Sequence, residues 1–379
     1  MSQPRSAILG LICLSLFASA GARPVVGADE KPLAIGAPAP DFSLPGVDGK
    51  TYTLADFAGS KALVVVFTCN HCPTANAYEA RLAKFHADYG PRGVKFVAIS
   101  PNDPLAVRPD ELGYTDLDDS FESMKIRARD HHFAYPYLYD GETQATSHRF
   151  GVLATPHVFV FDADRKLRYQ GRFDDEEVKP VRSHDAINAV DAILADRPVP
   201  VATTRVVGCS TKWADKRESA RQWQAKADAE AVTMTPLADL AAVARLVKND
   251  DQAKVKGPML INLWATWCGP CVAELPDLVE MNRMYRHRGF RLVTISMDEP
   301  GKQEEALAVL ARNHVAAQNF HLAIDGRDQF AEALNKDWPG PIPFTMVVAP
   351  GGKVLYQKAG AIDPLEVRRV IVDSLGRTY

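Results

Sequence analysis

The chain has 379 residues, 46% of them hydrophobic, and a formal net charge of -3. That length exceeds one ordinary hydrophobic core, so two domains are expected. With its charges nearly balanced and no sustained basic run, neither nucleic acid nor an anionic membrane surface is an expected partner.

Residues 1–28 have the form of an export signal. Arg5 supplies positive charge, AILGLICLSLFASA is a short apolar run, and Ala20-Gly21-Ala22 offers a small-residue cleavage site. The expected location is therefore extracytoplasmic, periplasmic in type, with membrane association only if the segment stays uncleaved. Cys13 follows Ile12 inside this run and is expected to leave with it. The mature chain then keeps Cys69, Cys72, Cys209, Cys268 and Cys271. Two close pairs and one single thiol point to redox chemistry, because disulfide scaffolds are small and cysteine-dense. Outside the cytoplasm such chemistry needs an external electron donor or acceptor.

After a Pro-rich lead-in from Pro32 to Pro45, Asp48-Gly49-Lys50 reads as a hairpin turn. ALVVVFT reads as a strand buried on both faces, and it delivers Cys69 to its carboxyl end. ANAYEARLAKFHADY has helical spacing and GVKFVAIS is a second buried strand, so the order is strand, helix, parallel strand. The polar stretch from Asn102 to Asp119 is expected as a surface insertion. Behind Thr155-Pro156, VFVFDAD and KLRYQGRF form strand, turn and strand, and INAVDAILADR closes a first domain over residues 33–200. Residues 201–232 are expected to be a linker with a helical segment, whose Trp213 and Trp223 suggest that it docks.

The order repeats over residues 233–379. PMLINLWAT is a strand, CVAELPDLVEMNRMY a helix, FRLVTISM a strand, and TMVVAP with KVLYQKAG a hairpin. Pro156 to Lys166 matches Pro343 to Lys353 in spacing, as do the steps to Tyr169 and Tyr356, each followed by Gln. Such self-similarity means two copies of one α/β fold, each a central mixed sheet flanked by helices.

WCGPC between a buried strand and a helix, with a Pro heading a later strand, resembles thioredoxin. The second domain is similar to exported thiol-disulfide oxidoreductases of the TlpA/ResA type, through WATWCGPCVAELP and the later IPF. The first resembles the redoxin branch, peroxiredoxin-like and of AhpC/TSA type, through FTCNHCP, PYLYD, TPHVFVFD and GCSTKW. The resemblance implies two thioredoxin-like folds in tandem, no bound cofactor beyond redox-active disulfides, and protein thiols and disulfides as partners. Relatives of the second domain serve cytochrome c maturation. Thioredoxin's buried Asp, six residues before the first active-site Cys, is replaced here by Leu63 and Asn262. Glu274 matches the Glu of the TlpA/ResA motif and is the candidate substitute.

Disulfide exchange starts when a thiolate attacks sulfur, and a helix start lowers a thiol's pKa. Cys69 and Cys268 are therefore assigned as nucleophiles, with Cys72 and Cys271 as resolving thiols. Gly269-Pro270 is the thioredoxin dipeptide, whose potential lies near about -270 mV. His71, before Cys72, resembles the His of the strong oxidant DsbA, so the first domain is expected to be the more oxidising, with a relay between the two pairs as one arrangement. Pro156 and Pro343 match the proline that faces the active-site Cys behind a cis bond, and Thr155 and Ile342 would then contact substrate. Trp267 adjoins Cys268 and is a further candidate for substrate contact, whereas Trp264 reads as core. Cys209 is a candidate accessory thiol.

Metal ligation is not expected, since His131-His132 and His148 lack a partner cluster, and neither pair has the spacing of a zinc ribbon or haem attachment. Two other readings stay open. Cys72-Pro73-Thr74 echoes thiol peroxidases, although Val65 and Cys69 stand where those enzymes carry Pro and Thr. Cys69, Cys72 and a His would suit a copper-binding or metal-delivery protein, since soft thiolates hold Cu(I).

Overall fold

A computed structural model describes residues 31–249 and 257–378, and the export signal expected over 1–28 lies outside them. Strands β1 (Ser43–Pro45) and β2 (Thr51–Thr53) form the hairpin that turns at Asp48-Gly49-Lys50. β3 (Ala62–Phe67) is buried at all six positions, because the sheet is covered on both faces; an alternating pattern would have left one face wet. Helix α1 (Pro73–Tyr89) starts directly after Cys72, its cap. Pro73 suits that first turn, where its missing N–H costs no hydrogen bond. Tyr78, Leu82, Phe85 and Tyr89 recur at helical spacing and press against the sheet.

Then follow β4 (Val94–Ser100), α2 (Phe121–Asp130), β5 (Tyr137–Tyr139), α3 (Ala145–Phe150), β6 (Ala154–Thr155), β7 (His157–Asp162), β8 (Leu167–Gly171) and α4 (Asp185–Leu194). The sheet order is β5-β4-β3-β7-β8, with β3 parallel to β4 and antiparallel to β7. Val64 and Val66 face the cluster under α1, while Leu63, Val65 and Phe67 face a second cluster holding Phe150 and Phe159. The period of two along one strand thus feeds both layers.

The chain continues through β9 (Cys209–Ser210), α5 (Arg217–Asp228), β10 (Met234–Leu237), α6 (Leu240–Lys248), β11 (Met259–Trp264), α7 (Gly269–Tyr285), β12 (Arg291–Ser296), α8 (Gln303–Arg312), β13 (Gln318–Leu322), α9 (Arg327–Asn335), β14 (Phe344–Val348), β15 (Val354–Ala359) and α10 (Pro364–Leu375). The second sheet runs β10-β13-β12-β11-β14-β15. Without its edge strand β10 it repeats the first sheet's order and its parallel and antiparallel pairs.

Two expectations change. The segment 201–232 is not one linker: its first part folds back on the first domain. Gln170 N donates to Ala202 O, β9 pairs with β6, and Trp213 stacks on His148 with ring centroids 4.1 Å apart. Nor is Asn102 to Asp119 a surface insertion, since Asn102, Asp103, Thr115, Asp116 and Asp119 are buried. Polar side chains survive there because each is hydrogen-bonded, which spares the desolvation cost of an orphaned group.

That stretch also contacts the second domain. Leu112 packs into the second domain's core, Tyr285 Oη donates to Thr115 O at 2.8 Å, and Arg288 donates to Gly113 O at 3.0 Å while stacking over the Tyr114 ring. Arg369 and Arg377 both reach Asp116.

Candidate functional site

In the first domain, β3 ends at Phe67 and delivers Thr68 and Cys69 to the sheet's carboxyl edge. Register pairs Phe67 with His157, so the cis Thr155-Pro156 bond lies beside Cys69. Cys69 Sγ is 3.0 Å from Thr155 Oγ1, and Cys72 Sγ is 3.1 Å from Thr155 O. Both sulfurs are buried, at 2% and 0% exposure, where an exposed first thiol would be needed to meet a protein partner directly. They are in the thiol form, without a disulfide.

The histidine between them is held from a distance in sequence. His71 Nδ1 lies 2.5 Å from Asp119 Oδ2, and Asp119 Oδ1 accepts from the backbone N–H of Asn70 at 2.8 Å and of His71 at 3.1 Å. Asn102 Nδ2 donates to Asp119 Oδ2 at 2.7 Å. Burial would raise the Asp119 carboxyl, but the charge of His71 and these donors hold it below the usual carboxylate range. Burial likewise disfavours charge on His71, and Asp119 reverses this, so its pKa is raised. Its Nε2 is buried and makes no hydrogen bond among the described residues.

The sulfurs divide the charge unequally. Burial pushes the Cys69 thiol well above its ordinary value, and hydrogen bonding to Cys72 and the Asp119 charge push the same way. Burial acts on Cys72 too, but hydrogen bonds from Cys209 and Cys69, the His71 charge and the Ala75 N–H hold it well below an ordinary thiol. The Thr155 carbonyl, like burial, favours protonated Cys72, and the several opposing donors prevail. The charge distribution therefore favours Cys72 as the thiolate, whereas the sequence assigned the nucleophile's role to Cys69. A helix N-terminus favours both sulfurs; the Asp119–His71 pair and Cys209 choose between them.

The second site repeats the plan with different support. Cys268 and Cys271 form a disulfide at the start of α7, and register of Leu263 with Phe344 brings the cis Ile342-Pro343 bond beside the strand that feeds them. Asp298, just past β12, accepts from Thr266 N and Oγ1 in the preceding loop. Trp267 is 67% exposed beside the pair, whereas Trp264 is core. Glu274 is buried one turn beyond Cys271 and accepts from Asn262 Nδ2 at 2.8 Å and from the Ile362 N–H at 3.3 Å. Burial pushes its carboxyl up against those bonds, so it gives up its proton less readily than an exposed Glu. Asn262, at the place of thioredoxin's Asp, thus touches the acid that resemblance named as its substitute.

Ligand atoms of Cys69, His71 and Asp119 lie within 4.8 Å of one another, a set that the sequence did not bring together. Asp119 already serves two backbone N–H groups, Asn102 and His71 Nδ1. The geometry is that of a proton-sharing pair. His131, by contrast, faces Glu79 at 3.0 Å, outside either sulfur site. Asp119 and Asn102 are the functional side chains that motif reading missed. Nothing but two adjacent acids, Asp118-Asp119, marked the place.

A family model described as Redoxin matches residues 34–187 and again 224–370. Among curated proteins, the thiol-disulfide oxidoreductase ResA of Geobacillus kaustophilus is 28% identical over 111 residues, covering 29% of this chain and 59% of that one. A thiol:disulfide interchange protein DsbE homolog of Paracoccus denitrificans is 31% identical over 114 residues, 30% of this chain and 56% of its own. The chain thus spans a little over half the length of the curated relatives it matches. Among solved structures, an uncharacterized conserved protein from Geobacillus kaustophilus is 38% identical and covers 48% of this chain and 92% of its own, at a TM-score of 0.43.

Proposed function

Because the chain belongs to the redoxin family through both of its domains, we propose that it is an exported thiol-disulfide oxidoreductase that exchanges two electrons with protein thiols and disulfides. The observation that carries this reading is the repeated placement of a Cys-x-x-Cys pair at a helix start beside a cis-proline loop, one pair a disulfide and the other a dithiol with one sulfur favoured as thiolate. A thiolate attacks a partner's disulfide, the partner's first thiol leaves, and the second sulfur of the pair displaces the other, ending with a disulfide in the protein. An external donor or acceptor resets it, and the sulfurs carry the electrons without another cofactor. The signal-like residues 1–28 support export.

Stabilising the Cys72 thiolate stabilises the reduced form, which supports the first domain as the more oxidising of the two. Redox titration in glutathione buffers of Cys268→Ser/Cys271→Ser and Cys69→Ser/Cys72→Ser variants tests this. A first-domain potential higher by about 60 mV or more, roughly a hundredfold in equilibrium constant, is the expected result. Equal or inverted potentials would sink the assignment. A second reading has one observation behind it, the Cys69, His71 and Asp119 set. Anaerobic Cu(I) titration that found a tight stoichiometric site, lost in Cys69→Ser, would favour metal delivery instead.

A further inference from the structure

Cys72 cannot meet a protein partner where it stands, because it is fully buried, and Cys69 is scarcely better placed. Cys209 is the partly exposed thiol of the three and packs against the cluster of Cys69, Cys72 and Ala75. Its backbone N–H donates to Cys72 Sγ at 3.3 Å. The approach depends on Gly208, whose φ of +152° brings it so near Thr155 that a Cβ would lie 2.0 Å from the Thr155 carbonyl oxygen. The segment is also clamped from behind, since Lys212 N donates to Asn102 Oδ1 and Gln144 Nε2 to Lys212 O. Asn102 is the residue that braces Asp119, so one side chain ties the Cys209 strand to the His71 site.

We propose that Cys209 is the partner-facing redox thiol of the first domain, exchanging a Cys72–Cys209 disulfide with the buried Cys69–Cys72 disulfide. This deepens the oxidoreductase reading above and rests on it. In the reducing direction the Cys209 proton passes to the neighbouring Cys72 sulfur, and the Cys209 thiolate attacks a partner's disulfide, releasing one partner thiolate. Cys72, deprotonated again by that thiolate, attacks the Cys209 sulfur of the mixed disulfide and releases the second. The partner has gained two electrons and the protein holds Cys72–Cys209. Cys69 then attacks the Cys72 sulfur, its proton passing to the departing Cys209 sulfur, which leaves as a thiol, and the disulfide is stored inside with no further change in electron count. The sulfur that touches the outside is thereby separated from the sulfurs that set the potential.

The full chain carrying Cys268→Ser/Cys271→Ser leaves this centre as the one that reads out. It is oxidised with glutathione disulfide, quenched in acid, alkylated and mapped by mass spectrometry, and its reduced form is timed against insulin. Adding Cys69→Ser should trap a Cys72–Cys209 disulfide as the main oxidised species. Adding Cys209→Ser should leave Cys69–Cys72 formation intact and slow insulin reduction at least tenfold. Absence of the Cys72–Cys209 linkage in the first variant, with parental insulin rates in the second, would overturn the role of Cys209 while leaving the dithiol reading standing. If no disulfide to Cys72 forms even in the parent, both fall.

Discussion

Asp119 is fully buried yet stays charged, because two backbone N–H groups, Asn102 and His71 replace the water it lost. Asp119→Asn should remove the charge that raises the His71 pKa, and with it a support of the Cys72 thiolate. Thiolate absorbance against pH should then show the lowest sulfur inflection moving up by about one unit or more, each unit being a tenfold change in ionisation. An unmoved inflection would discard the pair as the cause. The sign for stability follows from His71, whose folded pKa lies above its ordinary 6.5. The pair stabilises the fold fully below that ordinary value, and the contribution is lost as pH rises through the raised one. Glu274 acts in the same direction, at lower pH. Its raised carboxyl makes folding progressively less favourable as pH climbs from the ordinary Glu range through the folded value, so Glu274→Gln should flatten the fall of Tm across that interval. The same substitution should slow turnover of the Cys268–Cys271 pair roughly a hundredfold if Glu274 moves the proton of Cys271. His71 and Glu274 were legible in the sequence because they sit within three residues of a sulfur; Asp119 was not, because it lies 48 residues from His71 and belongs to no motif.

At the scale of elements, β9 is two residues long and holds by pairing with the equally short β6. Gly208 is what permits that contact, and Gly208→Ala should push β9 away from Thr155, costing the first domain about 1–3 kcal/mol in denaturant unfolding. The same variant should raise the Cys72 titration, since the Cys209 donors withdraw together. If stability falls but the titration holds, β9 is structural only. The longer elements were plain in the sequence: β3, β4, β11 and β12 are runs of buried apolar residues, and α1 and α7 carry helical spacing behind a cysteine cap. β9 carried no such signal, as two residues show no periodicity.

Across the whole molecule, the stretch from Asn102 to Asp119 touches the sulfur site at both its ends and the second domain between them. Gly113 sits where a Cβ would come within 2.6 Å of the His287 ring and 3.0 Å of the Met284 carbonyl oxygen. Gly113→Val should therefore part the domains, seen as a larger radius of gyration in solution scattering and faster proteolysis near residue 113. Unchanged scattering would mean the contact is not what holds them. Tyr285, which makes that contact, ends α7 about 25 Å along the helix from Cys268. The sequence by itself determined the two repeated α/β folds, the four paired cysteines and the prolines beside them, because buried strands, helix starts and turns leave their mark over a few neighbouring residues. Only the tertiary structure brought Asp119 to His71 and the Cys209 backbone to Cys72, and showed that a polar stretch expected on the surface braces the site. Those outcomes depend on burial and on hydrogen bonds between residues far apart in the chain, and local patterns do not encode them.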